Sequence, residues 1–193
     1  MKLELFYPIK NPFLITQKFG QNLNSIYKTL NMAGHNGWDI VGNTGQIIRA
    51  AHDGIVTFTG EDNSAGLGVV IRTLDQREYK DGAAYFKTIY WHCLPNSFLV
   101  KPGDIVKCGQ PIARCDTTGA ATGAHLHFGL KPISPGENDW TWYNYEQNNG
   151  FLGAIDPAPY WGGTYAEDYR SYSDQLSDIA KKVAELWKII FNK

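Results

Sequence analysis

The sequence predicts a mainly β protein: an antiparallel sandwich or open barrel with a groove, extended by one C-terminal amphipathic helix. Three observations lead there. Between Ile40 and about His127, short β-branched and aromatic runs recur between turn signals at roughly 8–12-residue spacing. No helix-period stretch of useful length interrupts them. From Ser173 onward the pattern changes, and Leu176, Ile179, Val183, Leu186, Trp187 and Ile190 step by three and four, the period of a helix.

Residues 1–20 hold short apolar runs broken by Pro8 and Pro12, and residues 21–34 are polar and loop-like. The segment "IIRAAHDGIVTFTG" reads as two strands around the Asp53-Gly54 turn signal. "LGVVIRTL" and "AAYFKTIYWHC" are the next two, joined by the polar link "DQREYKDG". "VKPGDIVKCGQPIARC" turns at Pro102-Gly103 and resumes as a strand with Gly109 near its start. "AHLHFGLKPI" closes the set. Residues 134–165 are loop-like and aromatic-rich. There Trp140, Trp142, Tyr143 and Tyr145 either line a substrate groove or anchor a long loop. Ser173 or Asp174 is the expected helix cap. The organisation expected is a β domain over residues 1–165 and a helical extension over 166–193. The extension either packs its apolar stripe on the body, pairs with a second copy, or tethers the chain to an assembly.

Composition narrows the function. A chain of 193 residues, 43% apolar, buries a core without disulfide staples. Eighteen basic and nineteen acidic residues are mixed along it, and no basic stripe points to nucleic acid. No run of about 18 apolar residues predicts a transmembrane helix. Glu4, Pro8 and Lys10 interrupt any apolar run that would serve as a signal peptide. Cys93, Cys108 and Cys115 are odd in number and form no CxxC pair, so they read as small buried hydrophobes.

The chemistry concentrates in two stretches. In "GAHLHFGL", His125 and His127 stand two apart in a strand-like run, so both imidazoles face one space. Paired histidines are poor core filler, because each buried ring needs a hydrogen-bond partner. In "GHNGWDI", His35 stands four before Asp39, and the flanking glycines argue against a helix interior. Either stretch alone is a weak signal. Together His35, Asp39 and His127 offer two imidazoles and a carboxylate, a zinc-type ligand set with one position left open. His125 beside such a metal would take or give a proton, and His92 in "IYWHCL" is a second group of that kind. His52 lies outside the pattern and reads as a solvent-facing or hydrogen-bonded structural residue.

Five ordered motifs, "GHNGWDI", "IRAAHDGIV", "YWHCL", "VKPGDIVKCGQPIA" and "TTGAATGAHLHFGL", together with "IDP" at 155–157, resemble the lysostaphin-type (LytM-type) zinc endopeptidases over roughly residues 14–157. The resemblance implies an open antiparallel groove, bound Zn²⁺, and cleavage of peptide bonds in bacterial peptidoglycan at the cell wall. It makes His35, Asp39 and His127 the metal ligands, with His125 and His92 the catalytic pair. Trp38 departs from the family's usual aliphatic residue and is expected to be a buried aromatic. Tyr27, or else Tyr90 on the strand face expected for His92, is the candidate that steadies the oxyanion. With no export signal read, the expected setting is phage-type lysis or a virion, and next a bacterial wall hydrolase in trimmed form. The alternative is a catalytically silent module of a wall or virion assembly, against which all five site residues count. "VKPGDIVKCGQPIA" also resembles the hairpin of lipoyl- and biotinyl-carrier domains, but Met1 and Met32 flank no suitable lysine.

Overall fold

The computed structural model describes residues 1–10, 14–23, 26–135, 142–166 and 172–191. Its strands are β1 (Leu5–Tyr7), β2 (Ile15–Gln17), β3 (Trp38–Val41), β4 (Ile47–Arg49), β5 (Gly54–Asp62), β6 (Gly66–Thr73), β7 (Arg77–Tyr79), β8 (Gly82–Trp91), β9 (Ile105–Val106), β10 (Pro111–Arg114), β11 (His125–Pro135), β12 (Trp142–Asn144) and β13 (Trp161–Tyr165). Helix α1 (Ile26–Thr29) is a single turn inside the stretch expected as loop, and α2 spans Tyr172–Phe191. Ser173 and Asp174, expected at the cap of α2, therefore stand inside its first turn.

A nine-stranded sheet dominates, ordered β2-β3-β11-β8-β6-β5-β9, with β12 on β11 and β7 on β8. Its pairings are antiparallel, as the short turn-linked strands require. Two small sheets, β4 with β10 and β1 with β13, complete the body. The β1–β13 pair is parallel, joining Leu5 to Trp161 and Tyr7 to Tyr165, a departure from the all-antiparallel expectation.

Alternation along the strands builds the core. Leu126, Phe128 and Leu130 of β11, Phe86 and Tyr90 of β8, and Val69 and Ile71 of β6 share one face and are fully buried. They pack with Leu5, Ile48, Ile112 and Ala113 of the small sheets. Each such side chain contributes roughly 1.5–3 kcal/mol on burial. Cys93 and Cys115 are buried and free, and Cys108 is half-buried. Burial pushes the Cys93 and Cys115 thiols up to about 12, which leaves them unreactive.

His52 is buried rather than solvent-facing. Its Nδ1–H donates to the Asp53 carbonyl at 2.7 Å, and its Nε2 accepts from the Thr88 hydroxyl at 2.9 Å. Burial pulls its pKa down to about 4, helped by Arg77 and opposed by Asp53. The folded pKa lies below the unfolded one, so this histidine's share of stability is complete above about pH 6.5 and is lost as pH falls toward 4. That share is about 3 kcal/mol. Urea titrations should therefore show stability falling over this window, with a visibly flatter slope in His52→Gln.

The described part of the α2 stripe is largely exposed to solvent. Leu176, Ile179, Val183, Leu186 and Trp187 are 48–61% exposed. Among the described residues, no helix is long and apolar enough to cross a membrane.

Candidate metal centre

β3 and β11 run side by side, with Asp39 opposite His127 and Val41 opposite His125. Residues two apart in β11 share a face, so both histidines project away from the core. His35 comes from the loop just before β3. Gly37 lets that loop lie against β11, since a Cβ there would sit 2.5 Å from the Phe128 carbonyl oxygen and 2.8 Å from His127 Nε2.

Three donor atoms meet. His35 Nε2 and His127 Nδ1 each lie 3.1 Å from Asp39 Oδ1 and 3.0 Å from each other. Burial alone would raise the Asp39 carboxyl, but hydrogen bonds from His127 and His35 outweigh it and hold the carboxyl far below its usual range. His92 and His125 flank the trio, with ring centroids 4.5 Å apart. His125 Nε2 is 3.5 Å from Asp39 Oδ1.

Backbone carbonyls fix which nitrogens face inward. A carbonyl only accepts, so a ring nitrogen beside one must carry the proton. His35 Nδ1–H donates to Lys18 O at 3.3 Å, His92 Nδ1–H to Thr118 O at 2.6 Å, and His125 Nδ1–H to Gly123 O at 2.8 Å. In the neutral rings each Nε2 is then a bare lone pair. Burial pulls His92 down to about 4, reinforced by His125 and His127, and burial also lowers His127.

The sequence profile of peptidase family M23 matches residues 33–139, more than half of the chain. The chain belongs to peptidase family M23. Among M23 relatives, it is 34% identical over 125 residues to the peptidoglycan DD-endopeptidase ShyA of Vibrio cholerae, covering 64% of this chain. It spans only 26% of that relative's length, so the match concerns one part of a larger protein. The catalytic domain of the antimicrobial peptidase lysostaphin from Staphylococcus simulans is similar in fold, with a TM-score of 0.58 and 25% identity over 77% of this chain and 92% of that one. A zinc-containing peptidase from Vibrio cholerae gives a TM-score of 0.54 and 27% identity, over 80% of this chain and 41% of that one.

The donor set fits a divalent cation on this structure's own terms. The three candidate ligand atoms of His35, Asp39 and His127, buried or nearly so, form a triangle with edges of 3.0–3.1 Å. One face of a zinc tetrahedron, with bonds of about 2.0–2.1 Å, has edges of about 3.3 Å. A cation between them would take the place of the protons these atoms share.

Tyr27 and Tyr90 part company. Tyr27 lies beside the site, its ring 6.0 Å from His35, and its hydroxyl accepts from Gln17 Nε2 at 2.8 Å. Burial, then the Asp39 charge, raises its pKa, so it stays protonated. Tyr90 does not reach the site. It is fully buried, and its hydroxyl accepts from the Ala51 N–H at 2.8 Å. The expectation that it shares a face with His92 fails because β8 ends at Trp91 and His92 adopts φ +65°. This left-handed kink turns His92 back to the metal side. Trp38 is buried as expected, and its indole N–H donates to Asp156 of "IDP" at 3.2 Å.

The sequence reading did not single out Trp91. It pairs with His127 across the sheet, and its ring lies flat on Gly68, where a Cβ would fall 1.9 Å from the ring. Phe58 meets it edge-on at 6.0 Å. Period-two alternation from Ile89 would have placed it on this face. Tyr145 is half-exposed and donates to Ala83 O at 3.2 Å, which fits the loop anchor. Trp140 and the side chains of Trp142 and Tyr143 lie outside the described residues.

Proposed function

We propose that this M23 chain is a zinc-dependent endopeptidase that hydrolyses peptide cross-links of bacterial peptidoglycan. The observation that carries the reading is the His35–Asp39–His127 triangle, flanked by two histidines whose bare Nε2 atoms face the same space. Those three residues would hold the ion. Zinc, when bound, polarises a substrate carbonyl and makes water acidic near neutral pH. His125, whose Nε2 stands 3.5 Å from Asp39 Oδ1, takes the proton of the attacking water at Nε2 and returns it to the leaving amine. His92, buried and neutral, accepts a hydrogen bond from that water at its own Nε2 and orients it. The carbonyls of Gly123 and Thr118 keep Nδ1 protonated in both rings, so Nε2 is the atom that exchanges protons. Tyr27, which stays protonated, donates to the developing oxyanion.

The peptide nature of the bond is supported by ShyA, named a DD-endopeptidase. The phage or virion setting is carried as part of the proposal, as is the division at residue 165. The exposed stripe of α2 supports a tether or self-pairing outside the catalytic body.

Purified cell walls treated with the zinc-loaded protein should release muropeptides with new amino termini, read by mass spectrometry. Chelation should stop the release and added zinc restore it. A version ending at residue 165 should give the same products. Zinc-loaded protein that releases nothing from walls of several cross-link types would overturn the proposal in favour of a silent module.

A further inference from the structure

The row of residues that passes through His127 continues beyond the metal centre. Asp39 pairs with His127, His127 with Trp91, Trp91 with Gly68 and Gly68 with Gly60. These five lie abreast on β3, β11, β8, β6 and β5. Residues directly opposite on paired strands share a face, so Trp91, Gly68 and Gly60 stand on the face of Asp39 and His127.

The two glycines leave room for two rings. A Cβ on Gly68 would fall 1.9 Å from the Trp91 ring, and one on Gly60 would fall 3.0 Å from the Phe58 ring. Neither glycine has positive φ, so what a side chain there would take away is space. Trp91 and Phe58 meet edge-on at 6.0 Å and make one continuous aromatic surface. Trp91 is only half-buried, and Phe58 is 37% exposed. The Trp91 indole N–H meets no acceptor among the described residues and reaches solvent. Trp38, by contrast, gives its N–H to Asp156. Trp91 therefore offers an apolar ring and an unused donor to whatever crosses the sheet beside the metal centre.

We propose that Trp91 and Phe58 form a stacking platform that grips an aliphatic residue of the substrate peptide about three residues from the bond being cut. This rests on the peptidoglycan reading, and it adds where along the peptide the protein takes hold. The Trp91 ring covers Gly68 on β6, two strand spacings or about 10 Å from β11. Three extended residues span about that distance. A peptide residue brings an aliphatic side chain to the ring and a backbone carbonyl to the indole N–H. A wall sugar is the other group with an apolar face. Its hydroxyls need partners when covered, and Phe58, Val70 and the two glycines offer none from their side chains. Asp62, the next residue on this face of β5, turns its carboxylate into its own loop, where it accepts from Ser64 and Ala65. The peptide is therefore favoured.

Fluorine NMR of zinc-loaded protein labelled with fluorotryptophan tests the contact without requiring cleavage, and Trp91→Phe identifies the Trp91 signal by its loss. A sugar-free, uncleavable cross-linked stem peptide should shift that signal, and a peptide-free glycan oligomer should not. Trp91→Ala should weaken binding of the stem peptide roughly tenfold, and Trp91→Phe and Phe58→Ala should weaken it less. Gly68→Ala, which displaces the ring without removing it, should match Trp91→Ala. A peptide shortened to two residues on each side of the bond should bind wild type and Trp91→Ala alike. In cleavage, Trp91→Ala should raise KM for the full cross-linked peptide roughly tenfold, with a smaller effect on kcat. A Trp91 signal moved by the glycan and not by the peptide would overturn the platform even in an active enzyme. So would Trp91→Ala binding the peptide as tightly as wild type. A shift with the peptide, in protein that cleaves nothing, would uphold it while the catalytic reading fell.

Discussion

His127→Ala leaves the protein folded but without zinc, and peptide cleavage from walls is lost. The imidazole removed supplies one of three donor atoms lying 3.0–3.1 Å apart, and two donors do not make a hydrolytic zinc site. The loss should exceed the roughly 10–100-fold caused by removing a group that merely orients a ligand. Folding should survive, because the ring projects from the sheet face opposite Leu126 and Phe128, which hold the core. Metal content after gel filtration, with muropeptide release on the same sample, checks both halves. A variant that keeps one equivalent of zinc would show that His127 is not a ligand.

His125→Ala gives the contrasting result: one zinc retained and activity down about 10²–10⁴-fold, the usual contribution of a positioned acid–base group. His125 shares the face of His127, but its Nε2 stands 3.5 Å from Asp39 Oδ1, outside the 3.0–3.1 Å triangle. His92→Ala should resemble it, because the two rings lie 4.5 Å apart and each is held through Nδ1 by a backbone carbonyl. Full activity in His125→Ala would defeat the assignment of roles, whatever the metal content.

What could be read from residues alone follows from local rules. The longer strands of the main sheet, β5, β6, β8 and β11, were visible because β-branched and aromatic runs alternate between glycine and proline turns, whereas β7 and β12 lie in stretches read as a polar link and a loop. The shared direction of His125 and His127 needed only period two. Tyr90 was misplaced by the same rule, because a single left-handed residue, His92, breaks the alternation, and nothing in "YWHCL" announces positive φ in a histidine. The α2 stripe was legible as a helix face, but whether it packs depends on partners that periodicity does not name. The β1–β13 pair escaped notice because its strands are only three and five residues long and stand at opposite ends of the body.

That last pair has a consequence for biosynthesis. Leu5 leaves the ribosome early, yet its strand mate Trp161 is made only when the body is nearly complete. The inner sheet can assemble meanwhile, but Leu5, buried in the finished protein, waits uncovered until then. A nascent or truncated form would thus remain an open sandwich, exposed to chaperones and proteases, until these two strands are zipped together.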